Sequence, residues 1–395
     1  MSPEFYHLFQ KCEEGISARM MIADVHGDPI VLDGGTGHEL KLRAHAVREG
    51  FMRSIMLNEQ EPEAVEEVHR DFLLAGCDAV TTNNFVVSRA ALARARLPDS
   101  RVAELTAAAA ARAKAAVAQA THLEHRAPIV VGALPPLGAT CYDASLVPSS
   151  VGQLQSEYRE IASTLIASGV HVLLAETLST LREAIAAIRA TRDLGMPLWV
   201  SWTLEDCIAD AHNPPTLRSG ESLLECVAAA IAEARQTASC DGLQHRDNYR
   251  DAAHLRAIGV NCTAPTAITA ALPFLREALA TARCPGVRLI AYGNAFKSST
   301  SEWLAAKVLP HMQPPAPINP PEEYDEHGVI LPAAYTRHAM DWAHAGARVI
   351  GGCCGCSPAI MRAVACAIKQ STSIARTPRS APSDSTADGT QHSAP

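Results

Sequence analysis

The sequence predicts an α/β protein, a single (β/α)8 or TIM barrel followed by a disordered C-terminal tail, and three observations carry that prediction. Eight short apolar runs alternate with eight amphipathic helical patterns, and strict βα alternation implies a parallel sheet with right-handed crossovers. Eight such units close into a barrel more naturally than they line up in an open sheet. No Gly-rich dinucleotide fingerprint follows an early strand, which weakens the doubly wound alternative. The 395 residues are long for one ordinary domain but usual for an α/β barrel.

The strands are read at Ile30 to Asp33, Ala79 to Thr82, Ile129 to Ala133, Val172 to Ala175, Leu198 to Thr203, Ile258 to Asn261, Leu289 to Tyr292 and Ala347 to Gly351. Each is a short apolar run of strand length. Helical periodicity fills the gaps at Glu61 to Ala75, Val102 to Ala120, Ser150 to Ser168, Thr180 to Leu194, Ser222 to Ala234, Ala267 to Ala282, Pro332 to Ala345 and Pro358 to Lys369. The polar stretch Gln236 to Asp251 and the Pro- and acid-rich stretch Gln313 to Glu326 read as surface loops. The expected organisation is an N-terminal extension over residues 1–22, the barrel over 23–371 and a tail over 372–395. That tail is rich in Ser, Thr, Pro and Ala, with too little apolar surface to fold.

Composition excludes several classes of function. The net charge of −8 gives no basic footprint for nucleic acid. No run approaches the roughly 20 apolar residues of a membrane span, and the charged residues scattered through Met1 to Ile22 argue against a signal peptide. A cytoplasmic protein is expected. Twelve cysteines in such a chain point to metal binding, catalysis or simple burial rather than disulfides. Cys12, Cys77, Cys207, Cys226, Cys240, Cys284 and Cys366 show no ligand spacing and read as small buried hydrophobes.

Barrel active sites lie at the C-terminal ends of the strands. The polar residues closing each predicted strand are Asp33, Thr82 and Asn83, Glu176, Ser201 and Thr203, Asn261 and Cys262, Asn294, and Cys353 with Cys354. The sharpest pattern among them is Gly351-Gly352-Cys353-Cys354-Gly355, together with Gly259-Val260-Asn261-Cys262. Adjacent side chains on a strand point to opposite faces, so two neighbouring cysteines reach one ion only where glycine lets the backbone turn. Three thiolates form a zinc site with one coordination position open, the catalytic pattern; four protein ligands form a closed structural site. Cys356 is the candidate fourth ligand for that closed alternative.

These residues resemble a known family. Asp33-Gly34-Gly35-Thr36-Gly37-His38-Glu39-Leu40, Thr81-Thr82-Asn83, Ala175-Glu176-Thr177-Leu178 and the two cysteine motifs are similar, in order, to those of the homocysteine S-methyltransferases over roughly Ile30 to Lys369. The resemblance implies a barrel that binds Zn2+ through Cys262, Cys353 and Cys354, with the homocysteine sulfur in the open position. Homocysteine carries an ammonium and a carboxylate, so the site needs an acid and hydrogen-bond donors. Glu176 is assigned to the amine with Asp33 as a second acid, Gly34 and Gly35 to close backbone approach and amide donors, and Asn83, Ser201, Thr203 and Asn261 to orientation. His38 and His171 read as packing or loop residues.

The chain has no room for a cobalamin module or a second barrel, so the methyl donor should be a freely diffusing activated molecule. A sulfonium, S-methylmethionine or S-adenosylmethionine, leaves as a neutral thioether and needs no acid. Leu198 to Asp206 and Glu176-Thr177-Leu178 look more like the branch that uses such donors, and glycine betaine is the competitor. Trp202 either faces the cationic donor or packs in the core. The chain departs from the family at His38, at Ala133 within Gly132-Ala133-Leu134-Pro135-Pro136, and at Gly293 of Tyr292-Gly293-Asn294. Two alternatives stay open: a different thiol or selenol acceptor on the same chemistry, and a non-catalytic barrel with a closed zinc site.

Overall fold

The computed structural model describes residues 27–43, 52–120, 127–138, 143–205, 214–236, 254–296 and 320–376. Eight strands form one sheet: β1 (Ile30–Val31), β2 (Ala79–Thr81), β3 (Ile129–Leu134), β4 (Val172–Leu178), β5 (Leu198–Trp202), β6 (Leu255–Asn261), β7 (Arg288–Gly293) and β8 (Ala347–Gly352). Every pairing is parallel, in the order β1-β8-β7-β6-β5-β4-β3-β2. This is the predicted α/β barrel.

Among the described residues β1 and β2 share no ladder, and side chains carry part of the closure there. Asp78 donates its backbone N–H to Val31 O at 2.7 Å and accepts from Val31 N through Oδ2 at 2.9 Å. Above it, Asp33 Oδ2 accepts from Thr81 N at 2.8 Å. Two buried carboxylates thus stand where carbonyls of a longer strand would be, satisfying amides that burial would otherwise leave unpaired.

The helices are α1 (Thr36–Arg43), α2 (Arg53–Gln60), α3 (Pro62–Leu74), α4 (Arg89–Arg94), α5 (Arg101–Gln119), α6 (Val151–Ala167), α7 (Leu181–Thr191), α8 (Leu223–Gln236), α9 (Pro265–Thr281), α10 (Pro332–His344) and α11 (Pro358–Arg376). Sequence punctuates their starts. Pro occupies the first turn of α3, α9 and α10, where its missing N–H costs nothing. Ser150 caps α6 by accepting from Gln153 N, and Thr180 with Glu183 forms a capping box on α7. Glu183 is fully buried, and its oxygens also accept from Leu137 N and Ser179 N, which gives this carboxylate a structural role. In α6 the buried Leu154, Tyr158, Ile161, Ala162 and Leu165 make one helical stripe against the sheet.

Side-chain alternation divides the core in two. Ile30, Leu32, Val131, Leu174, Trp199, Ile290, Tyr292 and Val349 belong to the barrel interior, with Cys353 packed at its edge. The larger layer lies between strands and helices and includes Leu173, Val200, Trp202 and Ile258.

Some expectations change. Short helices α1, α2 and α4 were not predicted; each is too short to show a clear periodic face. Helix α11 continues to Arg376, past the expected start of the tail at residue 372, and residues 377–395 lie outside the described residues. So do 1–26, which contain the expected N-terminal extension, and most of the loop placed at Gln236 to Asp251. Within Gln313 to Glu326, Pro321–Glu323 forms a 3-10 turn and Tyr324 bridges Ile330, so that part is not a plain loop. No helix among the described residues is long and apolar enough to cross a membrane.

Candidate metal centre and active site

Cys262 follows β6 and Cys353 and Cys354 follow β8, the two strands that flank β7. Their three sulfurs lie within 4.8 Å of one another, and Cys262 Sγ stands 4.0 Å from Cys354 Sγ. Two thiolates on a tetrahedral zinc, each at about 2.3 Å, would be about 3.8 Å apart. The Cys262–Cys354 separation is close to that value, and the three thiols form a group that could hold a metal ion. Hydrogen bonding with Cys262 and Cys354, together with burial, holds the Cys353 thiol well above its ordinary range.

The cysteine turn is fixed on several sides. Cys353 N donates to Gly293 O at 2.8 Å, Ala295 N to Cys354 O at 2.8 Å, and Gly35 N to Cys356 O at 2.9 Å. Gly355 takes φ +80°, which glycine allows at little cost. Cys356 is buried and directs its Sγ to Gly293 O at 3.4 Å. Among the described residues it is not part of the thiol cluster, which consists of Cys262, Cys353 and Cys354.

Gly34 and Gly35 are required by the backbone of the cysteine turn. A Cβ on Gly34 would sit 2.3 Å from Cys356 O, and one on Gly35 would sit 2.8 Å from Cys353 O. Both glycines let β1 lie against the cysteine turn, and the Gly35 amide is engaged by that turn rather than presented to a substrate.

Glu176 lies at the mouth of β4, 8% exposed. Its Oε2 accepts from Tyr292 Oη at 2.9 Å, Tyr292 Oη is 3.2 Å from Ser201 Oγ, and Ser201 donates to Asn261 Oδ1 at 2.6 Å. Asn261 completes the chain at Thr177, accepting from its N at 2.9 Å and donating to its Oγ1 at 2.7 Å. Thr177 has φ +56°, unusual for a β-branched residue, and the β4–β5 register breaks between Ala175 and Leu178. Such a bulge re-aims the adjoining side chains. Asn261 holds the distorted backbone next to Glu176.

Burial raises the Glu176 carboxyl to about 8; the Tyr292 bond opposes this, while the Asp33 charge adds to it. Burial likewise raises Asp33 to about 7, against the bonds from Thr81, whose Oγ1 donates to Asp33 Oδ1 at 2.9 Å. Two acids raised by burial thus stand at the mouth that holds the thiol cluster.

Thr203 holds the backbone of the thiol cluster, donating to Cys262 O at 3.2 Å and accepting from Arg218 Nε at 3.1 Å. This contact steadies Cys262, which takes φ +53°. Asn83 is engaged by a helix: its amide donates to Ser54 O at 2.7 Å and to Asn58 Oδ1 at 3.3 Å, tying the end of β2 to α2. Asn294 is buried, with its N–H on Thr263 O. Trp202 packs in the layer facing the helices and donates to Thr180 O at 3.3 Å, which places it in the core and not beside a donor. His38 stacks edge-on against Phe296, 5.5 Å between ring centres, and His171 Nδ1 accepts from Val130 N.

Sequence reasoning passed over Tyr292 as a site residue. The usable signal was alternation: Tyr292 lies two residues beyond the inward-facing Ile290 and so enters the barrel on the same face.

The family model for homocysteine S-methyltransferases matches residues 30–368. The chain belongs to that family. Homocysteine S-methyltransferase 4 of Zea mays is 25% identical over 359 residues, covering 87% of this chain and 90% of its own. Homocysteine S-methyltransferase YbgG of Bacillus subtilis is 26% identical over 351 residues, covering 85% and 93%. Among solved structures, the metallated form of the homocysteine methyltransferase MmuM from Escherichia coli superposes with a TM-score of 0.62 at 24% identity, covering 87% of this chain and 97% of its own. At that identity the likeness speaks for the barrel fold.

Proposed function

We propose that this protein transfers a methyl group from a sulfonium donor to the sulfur of L-homocysteine, forming methionine, with zinc held by Cys262, Cys353 and Cys354. The observation that carries this reading is the thiol triad within 4.8 Å at the barrel mouth, standing apart from Cys356. A three-thiolate donor set is soft and suits zinc. Metal binding by the metallated relative supports the same assignment. When bound, zinc supplies a fourth position in which a substrate thiol loses its proton.

The chain's own residues bind and orient. Glu176, with Asp33 nearby, receives the substrate ammonium; Tyr292 donates to the Glu176 carboxylate and fixes its direction. Asn261 and Ser201 hold Tyr292 and Thr177 in place, and Thr203 holds the Cys262 backbone. The substrate thiolate takes the methyl group in line with the carbon–sulfur bond of the donor, whose pair of electrons returns to sulfur as the neutral thioether leaves. No protein acid is needed for that departure.

The test is direct. The purified zinc-loaded protein is incubated with homocysteine and, separately, S-methylmethionine, S-adenosylmethionine and glycine betaine, and methionine is quantified. A sulfonium should support turnover and betaine should not; turnover with betaine alone contradicts the donor assignment, and no methionine with any donor contradicts the reaction.

A further inference from the structure

Tyr335, near the start of α10, is fully buried, and its hydroxyl lies across the end of the β7–β8 ladder. Its Oη accepts from Gly293 N at 2.9 Å and donates its one proton toward Gly351 O at 2.8 Å, with Gly293 O at 3.0 Å. Burial raises the phenol well above its ordinary range, so that proton stays in place.

The thiol turn hangs from the same backbone. Cys353 N donates to Gly293 O at 2.8 Å, and Ala295 N donates to Cys354 O at 2.8 Å. The segment leading into α10 secures the second of these bonds, because Ile330 N donates to Ala295 O at 2.7 Å. The Tyr335 ring is itself held. Trp342 meets it edge-on with 5.7 Å between ring centres, and Trp342 Nε1 donates to Thr269 Oγ1 of α9 at 2.9 Å. Gly293 fits closely into this arrangement: a Cβ there would stand 3.2 Å from Ile268 Cδ1 and 3.3 Å from Trp342 Cη2.

We propose that Tyr335 is a positioning residue of the metal centre, fixing the rung between Gly293 and Gly351 so that Cys353 and Cys354 are aimed at a shared ion. This rests on the reading that Cys262, Cys353 and Cys354 bind metal. Tyr335 touches neither the ion nor a substrate and acts through the backbone that carries two of the three thiols. Packing of the ring alone would hold the helix but would leave the buried Gly293 N–H without the hydroxyl it donates to, a costly state. Outer partners that orient metal ligands are typically worth about 10–100-fold in metal affinity.

The test is titration of the full-length, metal-free protein with cobalt(II) under anaerobic reducing conditions, followed by the thiolate-to-cobalt absorption, with thermal melts before and after loading. Y335F keeps the ring and removes only the hydroxyl. It should bind cobalt about tenfold more weakly, with an altered absorption band, and its Tm should rise less on loading than that of the parent protein. G293A presses on the same rung through its Cβ and should also weaken cobalt binding, which keeps the proposal testable if Y335F does not fold. T269V is the control for general loosening, since it removes the anchor of Trp342 without touching the rung. It should lower the Tm of the metal-free protein and leave cobalt affinity unchanged. Parent-like affinity and absorption in folded Y335F or folded G293A, or an equal loss of affinity in T269V, overturns the proposal. Failure of the parent protein to take up cobalt overturns the metal reading itself, and the proposal with it.

Discussion

Tyr292 donates its phenolic proton to Glu176 at 2.9 Å, across a mouth in which their strands are three positions apart. Burial keeps the phenol itself protonated by raising it well above its ordinary range. The bond favours the ionised carboxylate at a position where burial disfavours it. In the proposed reading, in which Glu176 receives the substrate amine, recognition rests on a residue of β7 as well as one of β4.

Replacing that hydroxyl isolates its contribution. Tyr292→Phe should weaken homocysteine binding about tenfold at pH 7, the loss of one hydrogen bond to a charged group. Without the donor the Glu176 carboxyl titrates at still higher pH, so affinity should recover as pH is raised toward 9. Dissociation constants from calorimetry across that range check this; a pH-independent loss would assign Tyr292 to packing.

Glu176→Gln should weaken homocysteine binding while making the free protein more stable at pH 8. The sign follows from linkage. A folded-state value of about 8 against an ordinary value of 4.5 means the folded chain retains a proton that the unfolded chain has released between those pH values. Stability contributed by this group is therefore full below about 4.5 and declines as pH rises toward 8. The neutral amide removes that decline. Thermal melts at pH 5 and pH 8 should show a gain of a few °C at pH 8 and a smaller one at pH 5.

Asn261→Ala removes both bonds that hold Thr177 at φ +56°. The loss of two buried hydrogen bonds should cost on the order of 2–4 kcal/mol, measured by urea unfolding. Homocysteine affinity should fall as well, because Thr177 adjoins Glu176. Unchanged stability would mean that the bulge in β4 is held by other contacts.

Cys356→Ala separates the open site from the closed one. With Cys356 directed to Gly293 O, this variant should bind one zinc per chain like the parent protein. Cys353→Ala should lose tight zinc binding. Metal analysis after dialysis against a mild chelator distinguishes the two, and loss of zinc from Cys356→Ala would favour the four-cysteine reading.

Much of this arrangement is legible in the sequence, for definite physical reasons. The buried parallel strands are near-continuous apolar runs, so all eight were located, and the glycines around Cys353 and Cys354 announced a turn. The cysteine cluster followed from placing those runs in a barrel. Other features depend on tertiary context that a linear reading does not contain. Gly34 and Gly35 looked like substrate-facing glycines, yet what demands them is the nearness of the Cys353–Cys356 turn. Asn83 ends a strand like the site residues, but its partners are Ser54 and Asn58 on a helix too short to foresee. Thr177 sits in a left-handed conformation that its residue type disfavours, and the bonds from Asn261, 84 residues later, are what sustain it.

The central claim is a three-thiolate zinc centre whose fourth position receives the homocysteine sulfur. X-ray absorption at the zinc edge of the loaded protein tests it most directly. Three sulfurs and one lighter atom are expected without substrate, changing to four sulfurs when homocysteine is added. Four sulfurs before addition, or a coordination shell that homocysteine leaves unchanged, would contradict the account.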